Sequence, residues 1–239
     1  MAPRSNYFFS RGDVGYGNGQ WQNREGTVTL PDYDGDSSSN WHLKCASIAV
    51  KRGLFPLNLW HSIASVTDGT SNTIAVSEGL VSDDSREVKR NIAHSIANSP
   101  DNDTSRCAKS ALTSDGRFYD ESITMQFNGD INIQSMRGIR GFDGRITYSG
   151  FNTVFPPNSP QCMARNGTGE GGWGFFSPTS NHPMGVNATY ADGSVRFISE
   201  TINCGSLLSG GEAPRGEASR FGVWGALGSI NGGETVTAP

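Results

Sequence analysis

Long apolar runs are missing from this sequence. No stretch approaches the ~18 apolar residues of a membrane-spanning helix, and the N-terminus, MAPRSNYFFSRGD, has neither the charged nor the apolar part of a signal peptide. Basic clusters are missing too: 19 Lys and Arg stand against 23 Asp and Glu, for a formal charge of −4. With no local Lys/Arg run, the chain offers nucleic acid no electrostatic footprint. Histidine and cysteine are scarce, four of each. The cysteines lie far apart, with no Cys-x-x-Cys pair and no mixed Cys/His spacing that would hold zinc. Gly-x-Ser-x-Gly, His-x-His and His-Glu-x-x-His are all absent, which removes the usual signatures of an esterase elbow or a metallohydrolase. The glycines at 167, 169, 171, 172 and 174 are followed by no lysine and open no helix, so they read as a flexible loop rather than a phosphate cradle.

Turn-forming residues are abundant. Thirty-one glycines and eleven prolines punctuate a chain that is only 35% hydrophobic. Asp-Gly dipeptides fall at 34–35, 68–69, 115–116, 143–144 and 192–193. Such punctuation favours β meanders over helices. A length of 239 residues can bury a substantial core and fits one domain, 1–239, with elaborated loops. The expected class is α+β, dominated by antiparallel sheet, with long Gly-rich loops and one or two helices.

The clearest local signal is a hairpin. Val186, Ala188 and Tyr190 alternate with polar neighbours, Asp192-Gly193 interrupts, and Val195 to Ile198 resume the alternation. Asp-Gly suits a two-residue type I′ loop, which would set Ala191 opposite Ser194, Tyr190 opposite Val195 and Ala188 opposite Phe197. Pro183 pushes His182 out of helical geometry, so Asn181 to Gly185 is an entry loop. Further strands are expected at Gly26–Leu30, Thr73–Glu78, Ile123–Phe127, Ile131–Ile133 and Arg145–Phe155. Val88, Ile92 and Ile96 recur at spacing four, with Asp83 and Asp84 before them, and predict a helix over Ser82–Asn98. A second helical turn is placed around Ser105–Leu112. Residues 205–220 read as a surface excursion, Phe221 to Leu227 as a last apolar element and 235–239 as a tail. Arg11-Gly12-Asp13 is a chance tripeptide rather than a displayed integrin ligand.

His182, nine intervening residues and Asp192-Gly193 form a pattern that goes beyond the hairpin. It resembles the H-x9-DG motif of a large family of prepilin-type proteins of unknown function, expanded in planctomycetes and also labelled bacterial solute-binding proteins. The likeness extends to Val66–Glu78, Tyr148–Cys162, Trp173 to Ser177 and Phe221–Gly233, in the family's order. It implies a pilin- or pseudopilin-like globular head, exported and displayed at the cell surface, in the periplasm or outside the cell. Family members begin with a hydrophobic helix that this sequence lacks, so residues 1–12 would be a loose remnant and membrane contact would run only through that absent helix. In an exported protein, Cys45, Cys107, Cys162 and Cys204 would form two disulfides, with three pairings open.

Three functional readings stand side by side. The first is a non-enzymatic structural or assembly head whose partners are other pilin-like subunits and which requires no cofactor. The second is a binding module for surface glycans or a small solute. Five tryptophans, 21, 41, 60, 173 and 224, with Tyr16 and Tyr33, supply rings that stack on sugars, and Trp41, Trp173, Tyr33 and His182 are the candidate contacts. The bland alternative places most of these rings in the core. The third is a hydrolase in which His182 is a general base oriented by Asp192, with Ser177 or Ser180 as nucleophile. The span from hairpin base to tip, on the order of 16 Å at ~3.3 Å per residue, argues against it. Separately, Asp32, Asp34 and Asp36 around Gly35 offer the oxygen-rich half of a Ca2+ loop, although the spacing departs from an EF-hand.

Overall fold

The computed structural model describes residues 3–15, 52–56, 60–83, 85–97, 112–122, 136–164, 174–207, 216–234 and 236. Among them eight strands and two short helices follow one another: β1 (Tyr7–Ser10), β2 (Ile74–Glu78), β3 (Ile92–Ala97), α1 (Ile146–Ser149), β4 (Gly150–Phe151), β5 (Gln161–Ala164), β6 (Gly174–Phe175), β7 (Gly185–Tyr190), β8 (Val195–Ser199) and α2 (Gly222–Gly228). The strands form a five-stranded sheet in the order β4-β1-β2-β7-β8 and a three-stranded sheet in the order β3-β5-β6. Only β1–β4 and β3–β5 are parallel. The class is α+β and β-dominated, as composition indicated.

Alternation builds the large sheet. Phe8, Val186, Ala188, Tyr190 and Ile198 point inward onto Trp224 and Leu227 of α2, which closes that face. Trp224 is fully buried and its indole Nε1 donates to the Phe155 carbonyl at 2.7 Å, so its one polar atom is satisfied inside the core. A second cluster, Ile92, Ile146, Tyr148, Met163 and Phe176, joins the small sheet to α1. Near it the buried Tyr119 hydroxyl donates to the Gln161 carbonyl and accepts from the Gln161 amide, each at 2.7 Å.

Burial raises the Tyr119 phenol well above its ordinary value and raises Tyr190 to about 12. A phenol raised in the fold contributes stability that is complete below its unfolded pKa of roughly 10 and is lost as pH climbs through the folded value. Thermal melts should therefore be level from pH 7 to about 9.5 and fall steadily above pH 10. A melting temperature unchanged at pH 11 would contradict the placement of these two rings.

Several expectations are corrected. The hairpin loop has three residues rather than two: the Tyr190 amide donates to the Ser194 carbonyl at 2.8 Å, and Gly193, at φ +86°, carries the left-handed turn alone. A type I′ loop would force Asp192 to positive φ as well, whereas this loop asks it only of glycine. The register consequently shifts by one, with Ala188 opposite Arg196 and Thr189 opposite Val195. Ile198 enters the core, Arg196 lies over the Tyr190 ring at 4.7 Å, and Val195 and Phe197 face outward, 62% and 47% exposed.

The helix expected over 82–98 is instead a turn followed by β3. A spacing of four is even as well as near-helical, so Val88, Ile92 and Ile96 suit one face of an extended chain equally well. Pairing with β5 decides between them. The strand expected over 145–155 is the single turn α1, in which the Tyr148 and Ser149 amides return to the Arg145 carbonyl, running into the short β4. Residues 7–10, expected to be loose, pair on both sides as β1. Arg11 and Asp13 are buried, and Asp13 pairs with the buried Arg52 at 2.6 Å, so the tripeptide is not displayed. Two disulfides are not formed: Cys162 is disulfide-bonded but Cys204 is a free thiol, half-buried beside the Trp224 cluster. The strands expected at 26–30, 123–127 and 131–133 and the turn at 105–112 lie wholly or almost wholly outside the described residues.

Candidate functional site

Glu78 ends β2 on the outer face of the large sheet, beside Asn187 of β7. Its carboxylate accepts the Asn187 backbone amide at 2.8 Å and the Asn187 side-chain amide at 3.1 Å. The remaining approach is taken by His182, whose Nε2 lies 3.2 Å from Glu78 Oε1 and donates there when it carries the proton.

His182 is held in place by its own loop. The Ser180 hydroxyl accepts the His182 amide at 3.0 Å and donates to the Gly185 carbonyl at 2.7 Å. Asn158, at φ +62°, accepts the Ser180 amide at 2.8 Å and reaches Glu200 with its own side-chain amide. Thr179 accepts the Leu80 amide at 2.9 Å, which fastens the loop to the chain leaving β2. Between these elements lies an open depression of about 430 Å³, lined by Asn6, Glu78, Leu80, Arg90, Asn181 and His182 among others.

This arrangement separates His182 from Asp192. The six residues of β7 stand between them, on the order of 20 Å at ~3.3 Å per residue. Asp192 is spent on its own turn, accepting the Ser194 hydroxyl at 2.7 Å and amide at 2.9 Å, which holds its carboxyl below the usual carboxylate range. Neither proposed nucleophile is placed to react: Ser180 Oγ is committed to Gly185, and Ser177 is buried. The triad of the third reading, His182, Asp192 and a serine, is therefore not assembled, in line with the span that argued against it.

Of the other expected site residues, Trp41, Trp173, Tyr33 and the Asp32, Asp34, Asp36 turn lie outside the described residues. Among the described residues no three His, Cys, Asp or Glu side chains cluster as metal ligands. Trp224, one of the aromatics considered for binding, is core, whereas Trp60 is 82% exposed.

From sequence, Asp68 reads only as a residue that stabilises its own turn, and Asn152 is given no role. Asp68 accepts the amides of Gly232 and Gly233 at 2.6 and 2.9 Å. Asn152 donates to the carbonyls of Val14 and Gly174 and accepts the Phe176 amide. Together with Glu78 and Trp224, these contacts tie five sequence blocks to one another: 66–78 to 221–233, 66–78 to 179–192, 148–162 to 173–177, and 148–162 to 221–233. For Glu78 and Asn152 the one available signal was position, at the end of or inside a largely apolar stretch; Asp68, within VTDGTSNT, carried no such signal.

A model of one protein family matches residues 5–205, nearly the whole chain, under the description "Protein of unknown function (DUF1559)" and a label of the solute-binding type. The chain belongs to this family. No curated protein and no solved structure matches it. Membership in DUF1559 agrees with the family named from sequence, and the block 221–233 lies beyond the matched residues. Among the described residues, no helix of this DUF1559 chain is long and apolar enough to cross a membrane.

Proposed function

We propose that this chain is the non-enzymatic globular head of an exported envelope or extracellular protein, with a structural or assembly role. The observation that carries the reading is the closure of Glu78 by Asn187 and His182, because it turns the one histidine in a sequence motif into an internal tie. The outer face of the large sheet supports the assembly part. Two rows cross it, Tyr7, Glu78, Asn187 and Phe197, then Phe9, Val76, Thr189 and Val195, leaving apolar side chains exposed at both ends of each row. Contact with a neighbouring subunit would remove these four side chains from water.

A second reading, binding of a small polar solute, is favoured by the depression where His182, Arg90, Asn181 and Glu78 converge, and by the family's label. Its chemistry is hydrogen bonding to hydroxyl or carboxylate groups by side chains that already hold one another in place.

Assay of the purified chain against esters, phosphoesters and glycosides, beside His182→Ala, distinguishes both from a hydrolase. The expected result is no turnover that depends on His182, together with ordered self-association once a hydrophobic helix is fused to the N-terminus. Turnover abolished by His182→Ala would overturn the proposal. Stabilisation of the wild-type head by a solute, lost in His182→Ala, would favour the second reading.

A further inference from the structure

The loop over residues 140–144 is rigid, cationic and tipped by the most exposed large apolar side chain among the described residues. Phe142 is 92% exposed. It cannot fold away, because its turn is pinned on every side. The Asp143 amide donates to the Arg140 carbonyl at 3.0 Å, and Gly141 donates to the Pro3 carbonyl at 2.7 Å. The Ser149 hydroxyl holds the Asp143 carbonyl at 2.6 Å, and the Asp143 carboxylate takes the Arg145 amide.

Arg140 and Arg145 lie over the same Tyr148 ring, at 4.9 and 5.0 Å, which fixes both cations at the base of the loop. Exposed Arg4 adjoins them, since its backbone packs against Gly141. Of the arginines in residues 3–5 and 136–150, Arg137 is buried in the core, which leaves Arg4, Arg140 and Arg145 with one carboxylate around this loop, in a chain whose formal charge is −4. The one carboxylate, Asp143, is paired with Arg145.

We propose that this loop is a peripheral docking point for an anionic lipid surface, with Phe142 entering the headgroup region and Arg4 and Arg140 meeting lipid phosphates. Charge complementarity selects the partner's sign. The exposure of the tip favours a bilayer over a polysaccharide. A ring that projects to this extent can enter a bilayer interface on both faces, whereas stacking on a sugar covers one face only. The contact is independent of any hydrophobic helix and goes beyond the role proposed above; composition gave no sign of it because the arginines are spread over 141 residues of sequence.

Co-sedimentation of the full chain with vesicles tests the proposal, comparing phosphatidylglycerol-rich with purely phosphatidylcholine vesicles. Binding is expected to the anionic vesicles only, and to weaken several-fold as salt rises from about 0.1 to 0.5 M. Phe142→Ala should lower the partition coefficient about tenfold and leave the melting temperature unchanged, since the ring touches little of the protein. Phe142→Leu should retain most of the binding. No binding to anionic vesicles at low salt would overturn the proposal, as would equal binding to neutral ones or a Phe142→Ala variant that binds as tightly as wild type.

Discussion

Glu78→Ala should lower the melting temperature by roughly 6–12 °C, from a loss of about 3 kcal/mol. The carboxylate accepts two bonds from Asn187 and one from His182, and the Asn187 backbone amide is left with no replacement partner of the same reach. Hydrogen bonds to a charged acceptor are stronger than neutral ones, but Glu78 is partly exposed and water would recover some of the loss, so the sum is set below three full bonds. Glu78→Gln keeps one acceptor oxygen and should cost about half as much. A shift below about 2 °C for the alanine variant, measured by circular dichroism, would mean that this carboxylate is an ordinary surface group.

The larger effect is expected at Trp224. Trp224→Ala removes the biggest side chain from the cluster that joins α2 to the large sheet and should cost about 3–5 kcal/mol in urea unfolding. Trp224→Phe fills most of the space but orphans the Phe155 carbonyl, and its cost should be nearer 1–2 kcal/mol. The ordering separates packing from the indole hydrogen bond. If the two variants were equally costly, the bond and not the packing would dominate; if the alanine variant cost under about 1 kcal/mol, α2 would not be sealing this core.

What the sequence made legible is local, and what it hid is long-range. β2 and the β7–β8 hairpin follow from alternation, and both strands fall where alternation puts them. Their register does not follow, because β8 offers two alternating sets, Val195 with Phe197 and Arg196 with Ile198. Only the pairing of Ile198 with the buried Val186 of β7 shows that Ile198 must turn inward. The same ambiguity hides β3, where a spacing of four serves helix and strand alike until β5 supplies a partner. β1 reads as loose from sequence because the family's hydrophobic helix is absent before it, whereas Tyr-Phe-Phe suits a strand and β2 and β4 pair it on either side.

The candidate site was hidden for a related reason. His182 was visible within its motif, but the tip residue Asp192 was its nearest acid in the pattern, whereas its actual partner lies 104 residues away in another block. Asp68 and Gly232 are further apart still, by 164 residues. Turn chemistry explained Asp68 and Asp192 equally well from sequence, and only Asp192 turned out to serve its own turn.

A double-mutant cycle between Glu78→Ala and Asn187→Ala, measured by urea unfolding, tests most directly whether these side chains fasten the fold. A coupling of about 1 kcal/mol is expected, because each substitution removes the bond between the Asn187 side-chain amide and the Glu78 carboxylate. Costs that simply add, to within about 0.3 kcal/mol, would contradict it.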